Sequence, residues 1–182
     1  MTTENVPRRH GMAAIGFFLA GAFVYALMIN VTLAQIEAVS NLAPFDMRPF
    51  GYGPEEARRL LDALGEEGRT YYLTRQIPLD TVYPALLAMA LVSSFRFFAA
   101  RRPGRMLVRI GIALSVGAAL FDYVENLGIA AMILRWPEVS GAMVHTTSAA
   151  TIAKSSVTSA AVAVLLLVGV HWLRRLKADP RP

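Results

Sequence analysis

Four long apolar segments dominate the pattern of hydrophobic and polar positions along this chain. They cover residues 11–34, 79–98, 110–134 and 141–172, and the charged residues are concentrated between them. A helix needs roughly 20 mostly apolar residues to cross the hydrocarbon core of a bilayer. Each segment meets this requirement, and the fourth is long enough to tilt or protrude. The pattern therefore predicts an all-α, membrane-embedded four-helix bundle that forms a single domain over residues 1–182.

The longest polar segment, the loop of residues 36–78, contains helix signals of its own. Pro54 followed by Glu55 and Glu56 suits a first turn, because proline tolerates that position and acids favour the positive helix end. Apolar residues then recur on one helical face and are followed by a glycine that can end the helix: Ala57, Leu60, Leu61, Leu64 and Gly65. We expect this helix to pack over the bundle mouth or lie among lipid head groups, or else to cover a binding site. A second short helix is predicted over residues 68–76.

The composition supports a membrane protein and excludes several chemistries. The chain is 55% hydrophobic and 17% charged, whereas soluble domains carry about 25% charged residues. It contains no cysteine, which excludes disulfides, thiol redox chemistry and thiolate metal sites. The net charge of +5 does not indicate nucleic-acid binding, because the excess basic residues flank the apolar segments.

The basic residues also predict the orientation. They fall at one end of an even-numbered bundle: Arg8, Arg9, Arg96, Arg101, Arg102, Arg105, Arg109, Arg174, Arg175, Lys177 and Arg181. The opposite loop, between Glu37 and Asp80, holds eight acidic and five basic residues. The positive-inside rule therefore places both termini in the cytoplasm and the loop outside. The first apolar run exceeds the roughly 7–15 residues of a signal-peptide core, so we expect it to remain as a membrane helix.

Ionisable residues inside the apolar segments are the candidate chemistry, since such groups are costly in a bilayer. Asp122, Glu125 and Asn126 share one face of the third segment, and Lys154 lies in a Ser/Thr-rich stripe of the fourth. Glu125 is 16 residues from Arg109, or about 24 Å of helix, and Lys154 is at a similar depth. We therefore predict that Lys154 contacts Asp122 or Glu125 directly or through one water.

These groups, with polar residues of the first two segments at matching depth, predict a ligand-binding pocket in the outer half of the membrane. Its expected lining residues are Tyr25, Asp80, Tyr83, Asp122, Glu125, Asn126 and Lys154, with the loop helix over residues 57–64 as a cover. We expect no cofactor and no metal ligand, and His145 is interpreted as an interface residue. The alternative is that the polar side chains only hold the helices together.

Two groups of motifs resemble small bacterial four-helix membrane proteins of unknown function. They are LGEEGRTYY at residues 64–72 with Leu79-Asp80 and Tyr83-Pro84, and Asp122-x-x-Glu125-Asn126 with Trp136-Pro137 and Thr151-x-x-Lys154. The resemblance covers roughly residues 55–160. It implies a four-helix architecture and a bacterial inner-membrane location, and it implies no established activity.

Three functions remain open from the sequence. The first is binding or transport of a small polar or amphipathic ligand, with proton linkage. Four helices are few for a transporter, so a homodimer or larger membrane complex is expected, with membrane lipids but no nucleic acid as partners. The second is a structural or assembly subunit. The third, ranked last, is an enzyme on a lipid-like substrate, with Asp122 or Glu125 as acid–base group and Arg69 and Arg75 holding an anionic head group.

Overall fold

The computed structural model describes residues 5–99 and 104–178, and the side chains of residues 8–99 and 104–174. This part of the chain is helical and contains no strand. Its α-helices are α1 (Asn5–Leu27), α2 (Ala34–Ser40), α3 (Pro54–Ala63), α4 (Gly65–Tyr71), α5 (Ile77–Ala99), α6 (Arg105–Leu134) and α7 (Gly141–Ala178). Two π-helical turns, Met28–Leu33 and Tyr72–Gln76, and a 3-10 turn, Phe45–Met47, complete the set.

The prediction of an all-α bundle with four spanning helices is confirmed. Four helices are long and apolar enough to cross a membrane: Arg8–Ser40, Gly65–Ala99, Arg105–Leu134 and Gly141–Arg174. The first two each contain a π-helical turn, which joins α1 to α2 and α4 to α5 without a break. Every spanning helix is longer than its apolar segment, because helical hydrogen bonding continues through the flanking polar residues. For the same reason the loop predicted over residues 36–78 is shorter, and the short helix predicted over residues 68–76 is part of the second spanning helix.

The four spanning helices pack in chain order. α1 packs on α5, α5 on α6, and α6 on α7, with a smaller contact between α5 and α7. Within residues 5–99 and 104–178, α1 and α7 share no extended interface, so the bundle is open along one side. We call the end that carries residues 41–64 the loop end. The link between α5 and α6, predicted at residues 101–105, falls largely outside the described residues, as does Arg181.

Helix α3 packs over the loop end of the bundle. Its apolar face is fully buried, with Ala57, Leu60 and Leu61 at 0% exposure. The Gly53 amide donates to the Glu56 carboxylate over 2.7 Å, which satisfies one free donor at the helix start. Gly65 has a φ of +60° and lies where α3 gives way to α4, as the sequence predicts.

A close helix–helix contact fixes α6 against α7 beside the charged residues. Gly128 of α6 faces Thr147 of α7, and a Cβ at position 128 would overlap the Thr147 side chain. Small residues at such seams allow membrane helices to approach closely. The contact lies about one turn from Glu125 and about one turn from Thr151, which places these two side chains across the seam from each other.

Candidate functional site: a buried carboxyl cluster

Lys154 of α7 forms ion pairs with two acids of α6. Its Nζ lies 3.3 Å from Asp122 Oδ1 and also contacts Glu125 Oε2. The Glu125 side chain is 0% exposed, and those of Asp122 and Lys154 are 8% and 16% exposed. The predicted contact of Lys154 with Asp122 or Glu125 is therefore confirmed, and it involves both acids.

Glu125 is enclosed by the helix seam and by the loop. Thr151 Oγ1 donates to Glu125 Oε1 over 2.7 Å. Tyr52 of the loop is buried beside this pair, and its backbone amide donates to Ser148 Oγ over 2.8 Å. Burial and the negative charge of Glu125 raise the pKa of Tyr52 above its ordinary value. Tyr52 therefore covers the Glu125–Thr151 pair as a neutral phenol.

Asn126 replaces a backbone hydrogen bond that helix α5 lacks. Pro84 lies inside this helix and has no backbone N–H, so the carbonyl of Asp80, four residues earlier, loses its helical donor. The Asn126 side-chain amide donates to that carbonyl over 2.7 Å. Asn126 therefore joins α6 to α5, and this helix-joining contact orients the start of α5.

Asp80 has a buried carboxyl oxygen with neither a hydrogen-bond donor nor a cation among the described residues. It is 2% exposed, and no N–H or O–H donor of the described residues reaches its Oδ2. It lines the same cavity as Asp46, from the 3-10 turn, and Asp122, so three carboxyl groups border one space. Because ionised carboxylates only accept hydrogen bonds, Asp46 and Asp80 can bond each other only when one of them carries a proton.

Asp46 was not among the predicted site residues. The Tyr72 hydroxyl donates to Asp46 Oδ2, and Gln76 Nε2 donates to Oδ1 over 3.5 Å. Tyr72 also accepts the Phe45 amide over 3.1 Å, which fixes the turn. An acid in an irregular polar loop gives no periodic signal, so the sequence offered little to distinguish Asp46 from its neighbours.

The cluster borders a cavity of about 310 Å³ in the loop-end half of the bundle. Its lining residues are Tyr25, Met28, Leu33, Asp46, Met47, Asp80, Tyr83, Leu87, Asp122, Lys154, Ser155, Thr158 and Ser159. Five of the seven predicted lining residues are in this set, whereas Glu125 and Asn126 do not line the cavity. The cover differs from the prediction: the 3-10 turn contributes Asp46 and Met47, and α3 contributes no lining residue because its apolar face packs on the bundle.

The remaining candidate residues lie elsewhere. Arg69 donates to the Leu61 carbonyl over 2.6 Å and stacks on Trp136 at 5.5 Å, while Arg75 is exposed; neither lines the cavity. His145 is exposed near the start of α7. In the described residues, no group of three or more His, Cys, Asp or Glu side chains is placed to hold a metal ion.

No family model, curated protein or solved structure matches the chain.

Proposed function

We propose that the protein binds a small polar or amphipathic ligand in this cavity and exchanges a proton when it does so. The observation that carries the proposal is the Asp80 carboxyl group. Asp80 lines the cavity and is buried, yet its Oδ2 has no N–H or O–H donor among the described residues. A buried acceptor without a donor costs about 1–3 kcal/mol, which a donor on a ligand would recover. Tyr52 Oη and Asn126 Oδ1 also lack a partner among the described residues, but neither residue lines the cavity.

The balance of charge supports proton linkage. Four carboxyl groups meet one ammonium in the cluster, and Lys154 already pairs with Asp122 and Glu125. Asp46 and Asp80 have no cation of their own among the described residues, so we propose that they share one proton in the free site. A ligand that donates hydrogen bonds to these two carboxyl groups displaces the shared proton, which is released to water. Ionisable groups that line a membrane cavity commonly serve such ligand and proton pathways.

We further propose that the loop end faces the outside of a bacterial inner membrane. The described arginines at the opposite end support this orientation, because cytoplasmic loops are enriched in Lys and Arg. They include Arg8, Arg9, Arg105, Arg109 and Arg174. In this orientation the cavity opens in the outer half of the bilayer.

A structural or assembly role is the second candidate. Asn126 and Lys154 both join helices, and hydrogen bonds between membrane helices stabilise a bundle by roughly 0.6–2 kcal/mol each. These contacts alone would suit a subunit whose polar residues fix packing. They do not account for a buried carboxyl oxygen without a donor on a residue that lines the cavity.

Calorimetric titration of the purified protein in lipid nanodiscs tests the proposal. The probes are n-octylamine, n-octanol and n-octanoate, which share one chain and differ in head group, with protein-free nanodiscs as blanks. Two buffers of different ionisation enthalpy reveal proton exchange. We expect at least one probe to bind with proton exchange, and Asp80→Asn to weaken it by about tenfold or more. The matched control, Asp62→Asn on the exposed face of α3, should bind like the parent.

Two results would exclude a ligand site at Asp80. One is that no probe binds the folded parent protein. The other is that Asp80→Asn and Asp62→Asn bind every probe as the parent does. Either result would leave the structural role as the better explanation of the cluster.

A further inference from the structure

An apolar groove adjoins the carboxyl cavity. Its volume is about 170 Å³. It is lined by Phe17, Phe18, Gly21, Ala22, Tyr25, Tyr83, Leu87 and Ala90. Tyr25, Tyr83 and Leu87 belong to both linings, and the two tyrosine rings stack with their centroids 5.3 Å apart. The groove and the carboxyl cavity therefore adjoin at this pair of tyrosines.

The two spaces follow one face of helix α5. Asp80, Tyr83, Leu87 and Ala90 are spaced at i, i+3, i+7 and i+10, which places them on the same side of a helix. The distance along the axis from Asp80 to Ala90 is about 15 Å. A ligand that extends along this face would meet carboxyl groups at one end and only apolar or aromatic side chains at the other.

We infer that the ligand is a single-chain amphipathic amine, with its ammonium group against Asp46 and Asp80 and its chain in the groove. This inference rests on the proposed function and names its ligand class. An ammonium group supplies N–H donors to the carboxyl groups of Asp46 and Asp80, which border the cavity. The apolar chain of the amine fills the groove, and its hydrocarbon surface is thereby removed from water.

Charge complementarity excludes anionic head groups. The charged side chains in the described cavity lining are three aspartates and one lysine. Lys154 is already paired with two carboxyl groups, so no free cation lines this part of the molecule to receive a phosphate or a carboxylate. A phospholipid would bring its phosphate close to Asp46 and Asp80, and like charges at such distances repel. The ligand is therefore an amine without a phosphate.

The groove also limits the size and the route of the ligand. Its volume of about 170 Å³ suits one short chain rather than the two chains of a phospholipid. Phe18 and Tyr25 are 65% and 45% exposed at its rim, on the face of α1 that would contact lipid. An amine dissolved in the membrane can therefore enter the groove laterally, with its chain lying along α1 and α5.

The exchange is balanced in charge and forms no covalent bond. The free site holds one proton between Asp46 and Asp80. The bound ammonium donates N–H bonds to both carboxylates, and the displaced proton passes to water. One positive charge enters and one leaves, so the buried charge of the site is unchanged.

The test compares probes with different head groups, and it uses a substitution that fills the groove. In nanodiscs, n-octylamine should bind more tightly than n-octanol and n-octanoate and should release one proton per amine. It should also bind more than tenfold tighter than ethylamine, because its longer chain buries more apolar surface in the groove. Ala22→Phe, which fills the groove, should weaken n-octylamine about tenfold and leave ethylamine unaffected. Ala20→Phe, on the opposite face of α1, is the matched control.

The possible outcomes separate this inference from the proposed function. If n-octanol or n-octanoate binds as tightly as n-octylamine in an Asp80-dependent manner, the amine class is wrong and the ligand site stands. If Ala22→Phe and Ala20→Phe bind n-octylamine equally, the groove is not the chain site. If no probe depends on Asp80, both proposals fail. Ala22→Leu replaces Ala22→Phe if the larger side chain prevents folding, as judged by size-exclusion chromatography.

Discussion

The Thr32 hydroxyl donates a hydrogen bond to the side-chain oxygen of Gln76, and this bond joins the two π-helical turns. Both side chains are buried, and Gln76 in turn donates to Asp46 over 3.5 Å. A π-helical turn inserts an extra residue into a helix and is frequent at functional sites. Here the two turns bring Thr32 and Gln76 together, and Gln76 holds the turn that closes the cavity.

Thr32→Val tests this connection. It leaves the buried Gln76 oxygen without its Thr32 donor, so we expect the free energy of unfolding to fall by about 1–3 kcal/mol. The control is Thr81→Val, because Thr81 is exposed and, among the described residues, its hydroxyl bonds only the Ile77 carbonyl of its own helix. Unfolding in mixed micelles provides the measurement. Equal stability of the two variants would show that the Thr32–Gln76 bond contributes little.

Lys154→Met tests the ion pairs. It removes the cation from two buried carboxyl groups and should lower the free energy of unfolding by about 3–5 kcal/mol at neutral pH. The loss should shrink at acidic pH, where the stranded groups take up protons. Adding Glu125→Gln to Lys154→Met should restore part of the stability, because it removes one stranded charge. Strict additivity of the two substitutions would contradict a direct interaction.

Gly128→Ala tests the α6–α7 seam. Its Cβ would overlap Thr147, so we expect a loss of about 1–3 kcal/mol as the helices separate. Gly117→Ala on the same helix is the control, because its Cβ would meet its nearest neighbour, Val157, at an ordinary 3.7 Å. Alanine favours a helix over glycine by about 1 kcal/mol, so this variant should be as stable as the parent or more stable. The same loss in both variants would argue against a specific contact at Gly128.

Tyr52→Phe tests the buried phenol through pH. Burial and Glu125 raise the pKa of Tyr52 in the folded protein, so the unfolded chain releases this proton at lower pH. Unfolding is therefore favoured as the pH rises above about 10, and the stabilising effect of the buried phenol is present below that pH. We expect the stability of Tyr52→Phe to fall less steeply than that of the parent on the alkaline side. Parallel curves of melting temperature against pH would contradict this.

The orientation can be read from single cysteines, because the parent chain has none. Positions 62 and 104 are exposed near opposite ends of the bundle. On intact cells, a membrane-impermeant thiol reagent should label Asp62→Cys, and it should label Gly104→Cys only after permeabilisation. The reverse pattern would place the loop end in the cytoplasm.

The sequence by itself determined the spanning helices and the ion pairs. A bilayer requires long apolar helices whose backbone hydrogen bonds are local, so length and hydropathy are sufficient to predict them. The Lys154 contacts followed from helical spacing and matched depth, because a charge in hydrocarbon needs a partner. The Asn126 bond to the Asp80 carbonyl could also have been sought from the sequence, since Pro84 removes that carbonyl's donor four residues earlier.

Only the tertiary structure decided the position of Asp46, the two π-helical turns and the cavity with its groove. Asp46 lies in a loop without periodicity, and its contacts with Tyr72 and Gln76 join residues 26 and 30 positions apart. Such contacts depend on how packed helices direct the loop. The cavity likewise exists because α1 packs on α5 and not on α7, and no local pattern of residues specifies which helix faces remain unpaired.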